Sequence, residues 1–319
     1  MRRGLVLAAA LLLSACAQPG ALPVSPVPAG PGFTIAATAV PLNVQDPAQD
    51  RVGDFRYAGG LALSSPDTAR FHGLSDMALG VGGDLTAVTD EGDLLKARLV
   101  LDKAGRLVGL ADGRITALTN PEGKPLQGKL EGDSEGVALL ANGDMLVSFE
   151  QRHRVWLYPA AGGPPRPAPM PDATFPDNGG LEALAPDPAA GPDAYVAGAE
   201  ESGQTWTCRV SATCVVGPAI AKPPEFGLVA VTRLPQGRTA WLLRAWDPAR
   251  GSRVSLVVRD ATTEIARMDF ARPLAVDNFE ALAAVPTKDG TIRFYLLSDD
   301  NFQSSQRTLL LAFDWKPRS

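Results

Sequence analysis

Hydrophobic and polar residues alternate along this chain in short segments that come in pairs. The clearest pair begins at Glu135 with small and apolar residues, turns at Asn142-Gly143-Asp144, and continues in a second apolar segment that ends at Glu150. Short alternating segments joined by a Gly, Asn or Asp turn are typical of antiparallel β-hairpins. The pattern predicts a hairpin whose open end places Glu135 and Glu150 next to each other.

The same paired pattern recurs along the chain. Its copies are anchored at one register position each, namely Ser75, Glu135, Glu182, Gly227 and Glu280. The spacings of 60, 47, 45 and 53 residues are each long enough for four short strands, the size of one β-propeller blade. The repeat therefore predicts an all-β propeller. Residues 33–63 leave room for one more blade, closed by strands from both chain ends, so six blades are favoured, with five or seven as alternatives.

Three of these register positions hold glutamate. Turns prefer Asp, Asn or Gly, because short polar side chains bond their own backbone and glycine adopts positive φ. Glutamate does this poorly, so its recurrence at the start of the hairpins indicates a role other than turn formation. The copies at Ser75 and Gly227 keep the hydrophobic frame and lack the acid.

Composition agrees with one globular domain built of strands. Of the 319 residues, 45% are hydrophobic and 20% are charged, which is ordinary for a soluble fold. No sustained 3.6-residue apolar stripe is present, and 32 Gly and 28 Pro interrupt the chain. We expect residues 33–319 to form a single monomeric domain. The net charge of −5 provides no basic surface for nucleic acid, and we expect no such partner.

The first 16 residues resemble a bacterial lipoprotein signal. Two arginines precede an apolar run that is too short to span a bilayer. The run ends in Leu13-Ser14-Ala15-Cys16, which resembles the lipobox, where the cysteine becomes the lipidated N-terminus. An ordinary secretory signal that happens to contain cysteine is the alternative. We expect Cys16 to be lipidated.

The residues after Cys16 predict a spacer between lipid and domain. Residues 17–32 are rich in Pro and Gly, a composition typical of an extended or disordered tether. Ala17, rather than Asp, follows the cysteine, and this resemblance favours the outer membrane. We therefore expect an envelope protein that contacts the membrane only through its lipid, with its domain in the periplasm or at the outer surface.

Export to an oxidising compartment bears on the two remaining cysteines. Cys208 and Cys214 lie in strand-forming sequence around a short loop, without a CxxC spacing or other metal ligands nearby. We expect them to form a structural disulfide.

Histidine is too scarce for several kinds of active site. The chain has only His72 and His153, and the Gly-x-Ser-x-Gly serine elbow is absent. Ser75 aligns with the repeat glutamates, which indicates a register position rather than a nucleophile. A zinc site would need clusters of His or Cys, and the sequence has none. Oxygen ligands therefore remain as the main chemistry.

Acids recur before the first strand and after the second strand of the hairpins. If these hairpin ends meet at one mouth of the propeller, several carboxylates converge and repel unless a cation neutralises them. Calcium accepts six to eight oxygens in loose geometry, whereas magnesium requires a stricter octahedron, so calcium is the better fit. The alternative is a rim of salt bridges, for which the candidate arginines are Arg152, Arg154, Arg244, Arg293 and Arg307.

Five segments resemble one protein family. They are residues 133–139, 178–184, 277–282, 297–302 and 306–313. The most specific are the Ser-Asp-Asp-Asn-Phe block at residues 298–302 and the Gln-Arg-Thr block at residues 306–308. Together they resemble the phytase-like family, described as "esterase-like activity of phytase", over roughly Phe71 to Phe313. The resemblance implies a β-propeller and, by analogy with propeller phytases, calcium and phosphoester chemistry.

The resemblance also implies site residues. The implied metal ligands are Glu135, Glu182, Glu280, Asp299 and Asp300. Arg307 is expected to steer an anionic substrate, with Glu135 and Glu280 taking part in catalysis. We expect Asn301, Glu150 and Asp90 to contact a bound ligand. Ser75 and Gly227 depart from the repeat, because each stands where other copies have an acid.

Two functions fit these features. One is a metal-dependent hydrolase of a small phosphate or carboxylate ester, which needs at least three carboxylates in one coordination sphere and a basic group within about 4–6 Å. The other is a non-catalytic propeller that binds a ligand or protein, with any metal structural. It would show acids already paired with arginines and an exposed aromatic patch, for which the candidates are Trp206, Trp241 and Trp246.

Overall fold

The protein is described from a computed structural model that covers residues 32–317. Nearly all regular structure in this range is β-strand. The strands in chain order are β1 (Ala36–Ala39), β2 (Arg51–Val52), β3 (Phe55–Ser64), β4 (Leu74–Leu79), β5 (Asp84–Thr89), β6 (Asp93–Leu101), β7 (Leu107–Ala117), β8 (Ser134–Leu139), β9 (Met145–Phe149), β10 (Arg154–Tyr158), β11 (Arg166–Ala168), β12 (Leu181–Pro186), β13 (Ala194–Ala199), β14 (Thr205–Arg209), β15 (Cys214–Val216), β16 (Gly227–Arg233), β17 (Arg238–Asp247), β18 (Gly251–Asp260), β19 (Thr263–Ala271), β20 (Asn278–Pro286), β21 (Ile292–Asp299) and β22 (Thr308–Trp315). A four-residue helix, α1 (Lys129–Gly132), and the 3₁₀ turns Val81–Gly83 and Pro235–Gly237 complete the elements.

These strands form five antiparallel sheets, each one blade of a β-propeller. Blades one to four are β4–β7, β8–β11, β12–β15 and β16–β19, and the fifth contains β20–β22 together with β1–β3. The first strand of each blade packs against the first strands of the two neighbouring blades, so β4, β8, β12, β16 and β20 form a closed inner ring. The propeller fold predicted from the repeat is confirmed.

The fifth blade closes the ring and corrects the favoured blade number. β3 pairs along β22, and β1 pairs along β3, so strands from both chain ends share one sheet. Residues 33–63 therefore supply the outer strands of the fifth blade instead of a separate sixth blade. Six blades was wrong, and five, one of the alternatives, is the number in the structure. Closure by both chain ends is as predicted.

Each inner strand carries one irregularity in its pairing with the second strand of its blade. The pairing skips one residue at Ser75, Glu135, Glu182, Val229 and Glu280. Such β-bulges leave the extra residue out of the ladder and re-aim its side chain. The register position of the repeat is thus a bulge, and in the fourth blade it is Val229 rather than Gly227.

In four of the five blades the residue after the bulge is Gly or Ala, and Gly136 shows the packing reason. A Cβ placed on Gly136 would come within 2.8 Å of the Glu182 carbonyl oxygen and within 2.7 Å of the Leu184 Cβ in the next inner strand. Contacts this close leave no room for a larger side chain. Adjacent inner strands therefore approach closely at the level of the bulges, which brings the bulge residues of neighbouring blades together.

Apolar side chains between the blades form the core. Phe55, Phe294 and Phe313 are completely buried where the fifth blade packs against the fourth. Trp206 and Trp241 are also buried, whereas Trp246 is 63% exposed. Of the three tryptophans considered for an exposed aromatic patch, one, Trp246, is therefore at the surface.

The predicted disulfide is confirmed. Cys208 and Cys214 face each other across the β14–β15 pair and are joined. The bond fastens the short outermost strand of the third blade to its neighbour.

The predictions for the N-terminus fall almost entirely outside the described residues. The signal sequence at residues 1–16, Cys16 and the tether up to residue 31 are not part of residues 32–317. Within the described range, no helix has the length and apolar character needed to cross a membrane.

Candidate functional site

Two rings of side chains surround the axis at one end of the propeller. The bulge ring contains Ser75, Glu135, Glu182, Val229 and Glu280. The closing ring takes one residue from each blade, in the second strand or just after it. In every blade this is the residue that follows the pairing partner of the residue before the bulge. The five residues are Asp90, Glu150, Glu200, Arg244 and Asp299. The two rings share seven acids and one arginine, and the fourth blade is the exception in both.

Three carboxylates at the second blade lie close enough to share one cation. One ligand atom each of Asp133, Glu135 and Glu150 lies within 4.8 Å of the others. We name these three residues the open acid cluster. Asp133 is fully buried and Glu150 is 4% exposed, so neither carboxylate is well solvated. The predicted proximity of Glu135 and Glu150 is therefore confirmed.

The open acid cluster has little internal compensation. Among residues 32–317, neither carboxylate oxygen of Asp133 has a hydrogen-bond partner of good geometry. The positive charge nearest to it is Lys129, whose Nζ lies 3.2 Å from Asp133 Oδ1 and 3.5 Å from Asp90 Oδ2. The Lys129 side chain is 54% exposed, so water screens its charge. One half-exposed ammonium is thus the nearby compensating charge for the open acid cluster and Asp90.

Burial and mutual repulsion hold protons on this part of the ring when no metal is bound. Burial raises the pKa of Glu150 to about 7, and nearby Asp133 and Glu200 add to the shift, although the Gly180 N–H opposes it. Burial also raises the pKa of Asp90 to about 7, against the pull of Lys129. The pKa of Glu135 is raised by burial and then by Asp133 and Glu182. Acids that cannot all ionise together are the setting in which a cation binds.

The opposite side of the rings contains its own cation. Arg244 forms an ion pair with Glu280 and lies 3.4 Å from Glu200 Oε1 through Nη2. Its Nη1 also donates to Asn278 Oδ1 at 2.5 Å. We name Arg244, Glu200 and Glu280 the arginine cluster. Burial raises the pKa of Glu280 more than Arg244 lowers it, so the balance is still a raised pKa.

Glu182 and Asp299 lie between these two clusters. Burial raises the pKa of Glu182, Glu200 raises it further, and Arg244 opposes the shift. Burial likewise raises the pKa of Asp299, with Glu280 and Asp90 as the nearest repelling charges. Asp299 Oδ1 accepts a hydrogen bond of 2.8 Å from the Asn301 N–H. The sequence-predicted acids at these positions therefore do face the same space.

Asp300 points to a different partner. Its carboxylate accepts from His72 Nδ1 at 2.7 Å and Thr308 Oγ1 at 3.0 Å, and from the backbone N–H groups of Gly73 and Phe302, each at 3.2 Å. Burial would raise the pKa of Asp300, but these bonds, led by His72, outweigh it and lower the pKa. Four partners use the lone pairs of the carboxylate, so we leave Asp300 out of the candidate cation site.

Neither histidine has a hydrogen bond to an acid of the two rings in the described part of the chain. His72 packs against Phe302 and bonds Asp300, which lies outside the rings, while His153 Nε2 donates to the Pro176 carbonyl oxygen and its ring packs against Phe175. Ser75 occupies a bulge, as its alignment with the glutamates predicted, and is 2% exposed. A serine nucleophile at this position has no support in the geometry.

Sequence reasoning missed three charged residues near the axis. Asp133 precedes Glu135 by two residues, just before β8, and a second acid so close to the repeat glutamate was the available signal. Lys129 lies on α1, four residues before Asp133, and no repeat marks it. Asp76 follows the bulge where other blades have Gly or Ala. It is 2% exposed, and burial raises its pKa well above its usual range, although the Val137 N–H donates to it at 2.8 Å.

A cavity of about 940 Å³ adjoins the arginine cluster. Arg244 and Glu200 are part of its lining, and so are Asn301 and Arg307 from the loop between β21 and β22. Arg307 Nε lies 3.2 Å from Asp277 Oδ2, and the Arg307 side chain is 48% exposed. The two sequence-predicted ligand contacts of this loop therefore lie on a cavity that reaches the closing ring.

Most of the arginines considered as alternative partners for the acids bind elsewhere. Arg293 pairs with Asp314, and Arg154 donates to the carbonyl oxygens of Arg152 and Glu131 while stacking on Phe149. Among the five candidates, Arg244 pairs with acids of the two rings. The arrangement thus contains three carboxylates close enough together to share one cation and a basic group within 4 Å of one of them. It also contains acids already paired with an arginine.

The family resemblance predicted from the sequence is confirmed. The family model "Esterase-like activity of phytase" (phytase-like) matches residues 69–302, which is most of the propeller. No protein with a curated description matches the chain significantly.

One solved structure supports the fold, and two others are similar to this chain at lower TM-scores. An X-ray structure described as a "putative gluconolactonase" shares 14% identity and a TM-score of 0.50, over 90% of this chain and 96% of that one. The virginiamycin B lyase of Staphylococcus aureus shares 10% identity and a TM-score of 0.44, over 88% and 99%. The Malassezia sympodialis allergen Mala s 1 shares 13% identity and a TM-score of 0.44, over 83% and 91%. At these identities, the likeness concerns the fold alone.

Proposed function

This chain belongs to the phytase-like family described as "esterase-like activity of phytase", and from that premise we propose that it is a calcium-dependent hydrolase of small phosphate or carboxylate esters. The observation that carries the proposal is the open acid cluster. It combines three carboxylates within 4.8 Å with an aspartate that is fully buried and lacks a hydrogen-bond partner among residues 32–317.

The donor set of the open acid cluster fits calcium. Its ligand atoms are carboxylate oxygens, which hard divalent cations prefer, and no sulfur or imidazole ligand joins them. A bound cation would coordinate the Asp133 oxygens, which have no hydrogen-bond partner among residues 32–317. It would also offset the burial and the mutual repulsion that raise the pKa values of Glu135 and Glu150. When bound, calcium supplies Lewis-acid polarisation of an ester oxygen.

The chain's own residues hold this site in shape. The Gly180 N–H donates to Glu150 Oε1 at 2.6 Å, which fixes that carboxylate and leaves Oε2 for a cation. The bulge at Glu135 takes that side chain out of the normal strand alternation, and Lys129 holds Asp133 by an ion pair from the rim. Two of the three ligands are thus held by contacts that do not involve a metal.

Arg244 and the cavity account for substrate binding. Arg244 is fixed by Glu280, Glu200 and Asn278, and it also lines the cavity, so it presents an oriented cation at the edge of the acid rings. Arg307 lies in the same cavity and can bind an oxyanion with the end of its guanidinium that Asp277 does not contact. The acids beside Arg244 are paired with it, so an anionic ester held in the cavity would not face an unpaired carboxylate on that side of the rings.

A second function has one specific observation in its favour. Glu200 and Glu280 are already paired with Arg244, and Trp246 is 63% exposed beside the cavity. A propeller that binds a ligand without turnover would have these features, with calcium at the open acid cluster as a structural ion.

The deciding experiment is calcium titration of the full-length protein, purified in detergent, followed by heat unfolding and by turnover of a phosphomonoester and a carboxylic ester. Removal of calcium with a chelator should lower the melting temperature and abolish turnover, and added calcium should restore both. Stabilisation without turnover would favour the binding propeller. A protein indifferent to calcium, with turnover or without it, would exclude the proposed cation site.

We also propose that the domain is attached to the bacterial envelope through a lipid on Cys16, with the outer membrane favoured. The support is the sequence of residues 13–16 and the Pro- and Gly-rich residues that follow. Labelled palmitate should be incorporated by the wild-type protein and not by Cys16→Ala, and the variant should leave the outer-membrane fraction. Equal labelling of both would rule out this anchor.

A further inference from the structure

The cavity beside the arginine cluster is lined by equal numbers of acids and arginines, but the two kinds of residue differ in how completely they are paired. Three acids and three arginines contribute to its lining. Each of the acids has an arginine partner: Glu200 with Arg244 at 3.4 Å, Glu225 with Arg253 at 3.4 Å, and Asp277 with Arg307 at 3.2 Å. The negative charge of the cavity is therefore already compensated within the protein.

The arginines of the cavity are only partly paired with acids. Arg272 is exposed and, within residues 32–317, forms no ion pair or side-chain hydrogen bond. Arg307 contacts Asp277 through Nε, so the outer edge of its guanidinium still has free N–H groups. The unused binding capacity of the cavity is thus cationic, and both groups present the planar fork that matches a carboxylate or a phosphate.

One large apolar surface lines the same cavity. Trp246 lies near the end of β17, two residues beyond Arg244, and its ring is mostly exposed. Since residues two apart in a strand share a face, Trp246 and Arg244 project to the same side of the fourth blade. The same cavity therefore combines an exposed tryptophan with one unpaired arginine, Arg272, and with the free N–H groups of Arg307. This is a surface for a ligand that has both a ring or apolar body and an anionic group.

We propose that Arg272, Arg307 and Trp246 form the substrate-binding subsite, and that the natural substrate is an ester with an anionic group and a flat or apolar body. This inference deepens the proposed function, because the cavity reaches the closing ring through Arg244 and Glu200. Arg272 and Arg307 bind the anionic group, and Trp246 packs against the body. The shared chemistry is an oxyanion, which either a phosphate or a carboxylate supplies.

The test is calorimetric titration of the calcium-loaded full-length protein with three probes that cannot be hydrolysed. Benzylphosphonate, phenylacetate and benzyl alcohol share one body and differ in the charged group. We expect both anions to bind at least about tenfold more tightly than benzyl alcohol, since a charge-assisted hydrogen bond contributes about that factor. The tighter of the two anions then identifies the source of the oxyanion.

Variants assign the subsite to its residues. Arg272→Gln and Arg307→Gln should each weaken anion binding about tenfold and leave benzyl alcohol unchanged, whereas Trp246→Leu should weaken all three probes. Arg98→Gln is the matched control, because Arg98 is an exposed arginine paired with Asp112 on the first blade. Benzyl alcohol binding as tightly as the anions, or Arg98→Gln matching the effect of Arg272→Gln, would overturn the proposal.

The same measurements separate this inference from the proposed hydrolase. Anion binding that depends on Arg272 and Arg307 without turnover of any ester would support the subsite and reject hydrolysis. Calcium-dependent turnover of neutral and anionic esters with equal KM, unchanged in Arg272→Gln, would support hydrolysis and reject the subsite.

Discussion

The open acid cluster and the arginine cluster both contain residues at the bulge and closing-ring positions of the repeat, but their buried negative charge is compensated differently. In the arginine cluster, Arg244 takes the closing-ring position of the fourth blade and pairs with Glu200 and Glu280. In the open acid cluster, Glu150 occupies the equivalent position, and the compensating charge is the half-exposed Lys129. One residue type at one position thus decides whether the protein provides its own cation or is left to bind one.

The fourth blade differs from its neighbours in the bulge ring as well. Val229 occupies the bulge of the fourth blade and is 1% exposed in the apolar core, whereas the second, third and fifth blades place glutamate there. The fourth blade therefore removes one acid from the bulge ring and adds one cation to the closing ring. At these two positions the second blade has two acids, Glu135 and Glu150, whereas the fourth blade has one neutral residue and one cation, a difference of three formal charges. The proposed calcium site therefore lies on the side of the second blade.

The strongest way to break this comparison is to remove the internal cation. Arg244→Met should destabilise the protein by about 3–5 kcal/mol, because it leaves Glu200 and Glu280 buried without a partner. It should also increase the stabilisation that calcium provides, since the arginine side would then resemble the acid side. Chemical denaturation with and without calcium measures both effects. Adding Glu280→Gln to the variant should recover part of the loss, and no recovery would argue against charge as its cause.

The acid side can be tested by removing one ligand. Glu135→Gln should weaken calcium binding by about 100-fold or more and reduce turnover in parallel, because the amide keeps the shape and loses the charge. Calorimetry and ester turnover are the measurements. Glu122→Gln, in an exposed turn and outside both rings, is the control and should match the wild type. Unchanged calcium affinity in Glu135→Gln would reject this ligand.

The raised pKa values of the acids predict that the stability of the protein depends on pH. Asp90 and Glu150 have pKa values of about 7 in the folded protein without a cation, above the ordinary values near 4 of the unfolded chain. The folded state then holds more protons between pH 4 and 7, so stability should fall as pH rises through this window and level off above it. Without calcium, the melting temperature should be higher at pH 5 than at pH 7.5.

Calcium should reverse that trend, because it replaces the protons. Its stabilising effect should be larger at pH 7.5 than at pH 5, and its binding should release protons near pH 6. In Glu150→Gln, the part of the pH trend due to Glu150 should disappear. A calcium effect that is equal at both pH values would mean that these carboxylates are not displaced from their protons by the ion.

The smallest expected effect on stability comes from removing Lys129, the cation beside the open acid cluster. Lys129→Met should change the free energy of unfolding by less than about 1 kcal/mol, since the ammonium is half-exposed and screened. It should raise calcium affinity several-fold, because a positive charge next to the site is removed. Denaturation and calorimetry test this together. A destabilisation as large as that of Arg244→Met would show that Lys129 is an internal cation of the same kind.

Much of this arrangement could be predicted from particular residues. The alternating segments and turn residues predicted the propeller and the hairpins, and the recurrent glutamates predicted that Glu135, Glu182 and Glu280 face one space. Asp300 and Arg307 could not be placed in the same way. They lie in or beside a loop, where His72 and Asp277, distant in sequence, decide where their side chains point.

The sequence by itself determined the fold class, the register of the repeat in four of the five blades, and the disulfide, because these depend on periodicity and short-range pairing. Only the tertiary structure decided the blade number, the register of the fourth blade at Val229, and the division of the acids between the open acid cluster and the arginine cluster. These depend on how β3 pairs with β22 and on how inner strands of different blades approach each other. Such contacts join residues far apart in the chain, and no local pattern encodes the distances between them.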